Sequence, residues 1–345
     1  MIVSVEDFFR LRERLPVVDV RSEGEYAAGH IPGAYNIPLL TNDERTAVGT
    51  IYKTEGTHNA IKKGFEVVGP RLLQIINQTE QVATQNEILV HCWRGGMRSA
   101  NFSQFVGMAG ITAHPVSGGY KAYRQEAHAL FASPLPLLRL GGCTGSGKSS
   151  LLHRLKQSGE QVIDLEMLAC HRGSVFGGIG MKPQPTTEQF ENNMFEELRL
   201  MDLSRTIWVE DESIAIGKIF LPQPFWHTLS KSPVIEIQMD KAIRVQRLVE
   251  EYGHSPVEEF EHALEKISRR LGGQHVKAAL EHLHGGRWPE VMEILLTYYD
   301  KAYRNGLSRK KELIRSVLSW DGRQGEALVS QLKTLSINPM HHWHE

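Results

Sequence analysis

The chain has 345 residues, of which 41% are hydrophobic and 23% charged, with a formal net charge of −1. That composition suits a globular protein of about two domains and excludes collagen-like, low-complexity and strongly basic chains. Three cysteines (Cys92, Cys143 and Cys170) argue against a disulfide framework and fit a reducing, cytoplasmic compartment.

The N-terminal stretch carries acids early and lacks a long apolar run, so no signal peptide is expected, and no apolar run is long enough to span a membrane. Val17-Val18-Asp19-Val20 reads as a buried strand, Glu87 to His91 as another and Thr112 to Val116 as a weaker third. Helical patterns such as Phe65 to Asn77 lie between them, and that alternation predicts a parallel sheet. Pro134 and Pro136 break the pattern, which divides the chain into domains of 1–132 and 137–345.

The second segment opens with Leu137 to Gly142, a strand entering a glycine turn. Val162 to Leu165, Thr206 to Val209 and Val234 to Met239 follow as strands, so this segment is α/β as well. From about residue 255 the pattern turns helical. Ser255-Pro256-Val257-Glu258 reads as a capping box with proline at the first helical position. Val257, Phe260, Leu264, Ile267 and Leu271 form one apolar face, ended by Gly272-Gly273. Two more helices are expected to close near Gly285-Gly286 and Asn305-Gly306. The histidine-rich end, Met340 to Glu345, reads as a solvated tail, and no metal site is assigned.

Gly142-Cys143-Thr144-Gly145-Ser146-Gly147-Lys148-Ser149 fits the P-loop pattern. Gly142, Gly145 and Gly147 let backbone N–H groups converge on phosphate oxygens, and the following helix adds its positive N-terminal end. Lys148 supplies a point charge, and Ser149 a ligand for Mg²⁺ where a metal is used. After the Thr206 strand, Glu210-Asp211-Glu212 offers acids for Mg²⁺ or water, with Glu210 and Glu212 as the candidates. Cys143 reads as a small tolerated residue and Cys170 as structural.

The second loop is His91-Cys92-Trp93-Arg94-Gly95-Gly96-Met97-Arg98-Ser99. It puts Cys92 at a strand-to-helix turn, where N–H dipoles, the helix N-terminus and Arg94 or Arg98 favour a thiolate. The thiolate is the reactive nucleophile. By this loop alone, sulfur-group transfer and Cys-dependent phosphatase chemistry are both open.

The run Val17-Val18-Asp19-Val20-Arg21 with Gly29-His30-Ile31-Pro32-Gly33-Ala34 resembles the N-terminal signature of rhodanese domains, in which such residues are architectural. Fused to a P-loop domain, it resembles the tRNA 2-selenouridine synthases. Asp43-Glu44-Arg45, His171-Arg172-Gly173-Ser174 and Glu210-Asp211-Glu212-Ser213 look like that family too, and the likeness runs from about residue 5 to 310. It implies a rhodanese-like parallel-sheet domain followed by a P-loop NTPase-like α/β domain with a helical C-terminal part.

The function the resemblance implies is a transferase acting on the wobble uridine of tRNA. A geranyl group from geranyl diphosphate alkylates the 2-thiouridine sulfur, and selenium from selenophosphate then replaces the geranylthio group. Cys92 matches the family's cysteine, which carries selenium as an S-selanyl intermediate. Arg94 and Arg98 are then expected at the selenophosphate oxyanion, and the P-loop at the diphosphate. An apolar channel would hold the geranyl chain, although Phe176, Phe190, Phe195, Phe220 and Trp226 each read first as core. For the tRNA anticodon, the candidates are Arg269, Arg270, Lys277 and Arg287, with Arg172 and Lys182 nearer the P-loop. A cytoplasmic monomer with no tightly bound cofactor is expected, served by a selenophosphate supplier, with Mg²⁺ optional. Two other functions remain open: an ATP-dependent tRNA sulfurtransferase, and a phosphatase fused to a P-loop domain.

Overall fold

A computed structural model describes residues 2–308, 310–323 and 325–336. The histidine-rich end, Met340 to Glu345, lies outside them. The chain divides into two compact units, Met1–Leu130 with Glu191–Glu196, and Phe131–Phe190 with Glu197–Glu345. No sequence signal separates Glu191–Glu196 from the rest of its helix, Thr187–Leu198.

The first unit is built on four parallel strands, β1 (Val17–Asp19), β2 (Tyr35–Asn36), β3 (Glu87–His91) and β4 (Thr112–Pro115), in the order β2-β1-β3-β4. Val18, Val20, Ile88 and Val90 are fully buried and pack with Phe102 and Val106 of the helix Met97–Met108. Continuous apolar runs of this kind are what a parallel sheet covered on its faces requires. The helix expected over Phe65 to Asn77 is interrupted. Thr57–Val68 ends where Pro70 sits in a short 3₁₀ turn, and Leu72–Val82 begins afterwards.

The second unit carries β5 (Leu137–Gly142), β6 (Gln161–Ile163), β7 (Ile207–Glu210), β8 (Ala215–Ile216), β9 (Ile219–Phe220), β10 (Val234–Gln238) and β11 (Ile314–Ser319). Five of them form a parallel sheet ordered β11-β10-β5-β7-β6, while β8 and β9 make a separate antiparallel pair. The central strand β5 is buried along its whole length and delivers the phosphate loop at its C-terminal end. Ligands of open α/β sheets bind at that end.

The C-terminal part is not wholly helical, because β11 returns to the sheet beside β10. The expected apolar face of Val257–Leu271 is buried at Phe260, Leu264, Ile267 and Leu271, and it packs with Val291, Leu295 and Leu296 of the helix Trp288–Ser308. That last helix continues through Asn305-Gly306, since one glycine near a packed helix end costs only about 1 kcal/mol. The capping box at Ser255 does not form: the helix begins at Val257 with Pro256 as its extended N-cap, and no side chain caps it. Among the described residues, no helix is long and apolar enough to cross a membrane.

Candidate active site

Strand β3 ends by placing Cys92 at the sheet's C-terminal edge, and the helix Met97–Met108 follows. Cys92 is only 3% exposed. Gly96 N–H donates to its sulfur at 3.3 Å, and Ser99 Oγ lies 3.4 Å away. Burial works against a thiolate. The Ser99 hydroxyl and the backbone of Ser99, Arg94 and Gly96 outweigh it, so the thiol is held below its ordinary value.

The loop around the sulfur is pinned from behind. Tyr120 and Lys121 donate their N–H groups to the carbonyls of Cys92 and Trp93, both at 2.9 Å. This close approach requires glycine at 119: φ is +57°, and a Cβ there would stand 2.4 Å from the Cys92 carbonyl oxygen. Below lies the buried pair Asp19–Arg21, with Arg21 Nη2 2.6 Å from Asp19 Oδ2 and 2.7 Å from Gly29 O. Arg21 also sits 3.9 Å from the centroid of the Tyr120 ring.

The two arginines of this loop differ. Arg98 makes a two-pronged bond to Glu25, at 2.6 and 3.2 Å. Burial raises the Glu25 carboxyl, but Arg98 more than offsets it and keeps it below the usual range. Glu25 also receives the Ser22 N–H that starts the helix Glu23–Ala28. Arg94 is exposed, and its guanidinium has no partner among the described residues.

In the second unit, residues 142–147 and the helix Lys148–Gln157 border a cavity of about 800 Å³. Gly142, Gly145 and Gly147 all take positive φ, the backbone freedom that lets successive amides gather around an anion. Lys148 Nζ donates to Gly142 O at 2.9 Å, and Ser149 Oγ donates to Glu166 Oε2 at 3.0 Å. Ser146 Oγ is buried and has no hydrogen-bond partner among the described residues. Cys143 is pushed up by burial, the opposite of Cys92.

The three acids at the end of β7 have separate fates. Glu210 is fully buried, accepts the Leu165 N–H at 3.0 Å and is driven well up by burial and by the charges of Asp164 and Glu166. Asp211 is neutralised by Arg139 at 2.7 Å and Lys310 at 2.9 Å. Glu212 lines the cavity, where burial and the Glu166 charge push its carboxyl up to about 7. Burial raises Glu166 also. Among the described residues, no group of three or more histidine, cysteine, aspartate or glutamate side chains is arranged to hold a metal ion.

Arg172 lines this cavity but is engaged by Glu251 at 2.7 Å and by Ile179 O at 3.0 Å. Arg269, Arg270 and Lys277 are exposed on the helices Val257–Leu271 and Gly273–His284, and line neither this cavity nor the neighbouring groove. Arg287 is exposed too and donates to His282 Nδ1 at 2.9 Å. Of the aromatic residues considered for the geranyl chain, Phe176, Phe190 and Phe195 are buried and Phe220 is exposed. Lys182 and Cys170 border that neighbouring groove, of about 940 Å³, which shares Gly173, Ser174 and Met181 with the phosphate cavity.

Sequence reasoning missed Asp164, Glu166, Arg247 and Glu251, all of which line the phosphate cavity. Asp164 and Glu166 follow β6 directly, so acids just past a strand end were a readable signal. Arg247 and Glu251 sit mid-helix in Lys241–Tyr252 and carried none.

A family model described as the tRNA 2-selenouridine synthase AAA domain matches residues 135–322, and a rhodanese-like domain model matches 4–126. The tRNA 2-selenouridine synthase of Nitrosomonas europaea is 32% identical, covering 86% of this chain and 90% of its own. The protein of the same name from Shewanella sp. strain ANA-3 is 34% identical, over 86% and 89%. Among solved structures, the N-terminal domain of a Clostridium difficile 630 protein named for ATP/GTP binding is 40% identical. It covers 36% of this chain and 97% of that one, with a TM-score of 0.34.

Proposed function

The chain belongs to the tRNA 2-selenouridine synthase family, and from that premise we propose that it exchanges sulfur for selenium at the tRNA wobble uridine in two stages, one for each loop. In the first, the 2-thiouridine sulfur attacks the geranyl C1 of geranyl diphosphate. A carbon–sulfur bond forms, the carbon–oxygen bond breaks, and diphosphate leaves. Alkylation turns the sulfur into a better leaving group. The cradle of Gly142, Gly145, Gly147 and Lys148 holds the diphosphate and stabilises its growing charge. In the second stage the selenium of selenophosphate attacks C2 of the base, a carbon–selenium bond forms, the carbon–sulfur bond breaks so that geranylthiol departs, and water cleaves the phosphorus–selenium bond to release phosphate.

Cys92 serves the selenium stage. The observation that carries this assignment is the seat of its sulfur, with the Gly96 N–H at 3.3 Å and the Ser99 hydroxyl at 3.4 Å. Arg94, exposed and unpartnered among the described residues, is the guanidinium that meets the selenophosphate oxyanion. Arg98 is committed to Glu25 and acts as a brace. Glu212 handles the proton and charge balance of the cavity, with Glu210 beneath it as a support. Mg²⁺ is optional in this reading and would meet the protein at Ser149.

The exposed cations Arg269, Arg270 and Lys277 are the tRNA backbone contacts of the proposal, with Arg287 beside them, while Arg172 holds the cavity wall. The reading takes the protein as a cytoplasmic monomer with no tightly bound cofactor, drawing on a selenophosphate supplier. Purified full-length protein given thiolated tRNA and geranyl diphosphate should yield an S-geranylated nucleoside by mass spectrometry, and a selenium nucleoside once selenophosphate is added. Steady ATP hydrolysis without any geranylated product would instead favour an ATP-dependent tRNA sulfurtransferase.

A further inference from the structure

Three cations line the phosphate cavity, and they differ in what holds them. Lys148 rests on the Gly142 carbonyl at 2.9 Å. Arg172 is paired with Glu251 at 2.7 Å. Arg247 has neither a hydrogen bond nor an ion pair to its guanidinium among the described residues. One turn earlier on the same helix, Arg244 is the opposite case. It is buried, bonds Asp300 twice at 2.7 Å and touches Thr144 O at 3.2 Å. Arg244 braces the loop and has little left to offer a ligand.

Arg247 is positioned by stacking. Its guanidinium carbon lies 5.4 Å from the centroid of the Trp320 ring. Trp320 is itself fixed, donating its backbone N–H to Gln238 O at 2.8 Å and its indole N–H to Arg323 O at 2.6 Å. A Cβ on Gly147 would stand 2.9 Å from Arg247 Nη2 and 2.6 Å from the Trp320 ring, so glycine at 147 lets the cation lie against the loop. Stacking occupies the face of a guanidinium and leaves its five edge N–H donors free.

We propose that Arg247 is a second clamp on the diphosphate held by the loop, donating to phosphate oxygens alongside Lys148. This rests on the reading of residues 142–149 as a diphosphate cradle. When the carbon–oxygen bond breaks, the electron pair stays on the departing diphosphate oxygen, and Arg247 supplies positive charge as that charge grows. Arg247 itself transfers no proton. The chemistry is shared by a prenyl diphosphate and by the diphosphate part of a nucleotide.

The test is titration calorimetry of the full-length protein with inorganic diphosphate. Wild type should bind. Lys148→Ala and Arg247→Ala should each weaken binding by about tenfold or more, the scale of one charge-assisted hydrogen bond. Arg247→Lys should fall between, because it keeps the charge and loses the fork. Equal affinity of wild type and Arg247→Ala, with Lys148→Ala weakened, overturns the clamp and spares the cradle. Failure of wild type to bind diphosphate overturns both. Competition then separates the sources: displacement by geranyl diphosphate assigns the clamp to a prenyl donor, while displacement by ATP alone keeps the clamp and moves it to a nucleotide. Among the described residues Arg247 makes no hydrogen bond or ion pair and only the Trp320 ring contact, so Arg247→Ala should melt within about 2–4 °C of wild type.

Discussion

Beneath Cys92 the charges come in closed pairs. Asp19 is matched by Arg21 and Glu25 by Arg98, and the thiol they surround is held below its ordinary value. In the phosphate cavity burial pushes up both Glu166 and Glu212, and the Glu166 charge pushes Glu212 further, while among the described residues Arg247 has no hydrogen bond or ion pair. Behind the sulfur the charges are matched before any ligand arrives, and Arg94 at the exposed rim is the cation of that loop left for an anion. The other holds both repulsion and an unspent cation, and an anion with its own charge pattern would complete it. Preorganisation suits a nucleophile that must be ready; an unfinished charge balance suits a site that gains its order from the substrate.

The largest expected effect tests whether the two loops run separate steps. Cys92→Ser should lower selenium incorporation about a thousandfold or more while leaving geranylation intact, as measured by mass spectrometry of tRNA nucleosides. Loss of the geranylated nucleoside in the same variant would merge the two regions into one step. Next, Lys148→Ala should raise the KM for geranyl diphosphate by about tenfold to a hundredfold and leave the selenium stage on pre-geranylated tRNA unchanged.

The crowding of carboxylates gives a smaller, pH-dependent effect. Glu212 titrates near 7 in the folded chain, against 4.5 for an ordinary carboxyl. Between those values the folded state holds a proton that the unfolded state releases, so folded stability falls as pH rises and the penalty is complete above 7. Glu212→Gln removes it. The variant should match wild type at pH 4 and melt roughly 2–6 °C higher at pH 8. Equal melting at both pH values would mean that the cavity is not frustrated. The smallest effect belongs to the closed pairs. Glu25→Gln should cost about 1 kcal/mol in denaturant unfolding, since the Glu25–Arg98 pair is only partly shielded. A cost near zero would return Arg98 to the role of anion ligand.

Much of this contrast was legible in the sequence. The glycine spacing of 142–149 and the Cys92 loop each follow an apolar strand directly, and short-range patterns of that kind survive folding. Strands β3 and β5 fall where the apolar runs put them. What was not legible depends on partners distant in sequence. Strand β2 is two residues long and exists because β1 lies beside it. Strand β11 comes four helices after β10, alternates half-buried and exposed positions, and is recruited by β10. The Glu25–Arg98 pair spans 73 residues, so Arg98 looked free. Ser255 looked like a cap because its spacing is right, but Pro256 takes the N-cap position and no side chain caps the helix. Arg247 meets its loop only through Trp320 and Gly147, neither of which its own neighbourhood predicts.

The central claim is an ionised, amide-cradled sulfur at position 92. The direct measurement is thiolate absorbance against pH, taken as the difference between wild type and Cys92→Ser so that Cys143 and Cys170 cancel. The thiolate should form below the ordinary cysteine range, and Ser99→Ala should move its midpoint upward by removing a donor. A midpoint at or above that range, unmoved by Ser99→Ala, would contradict the account.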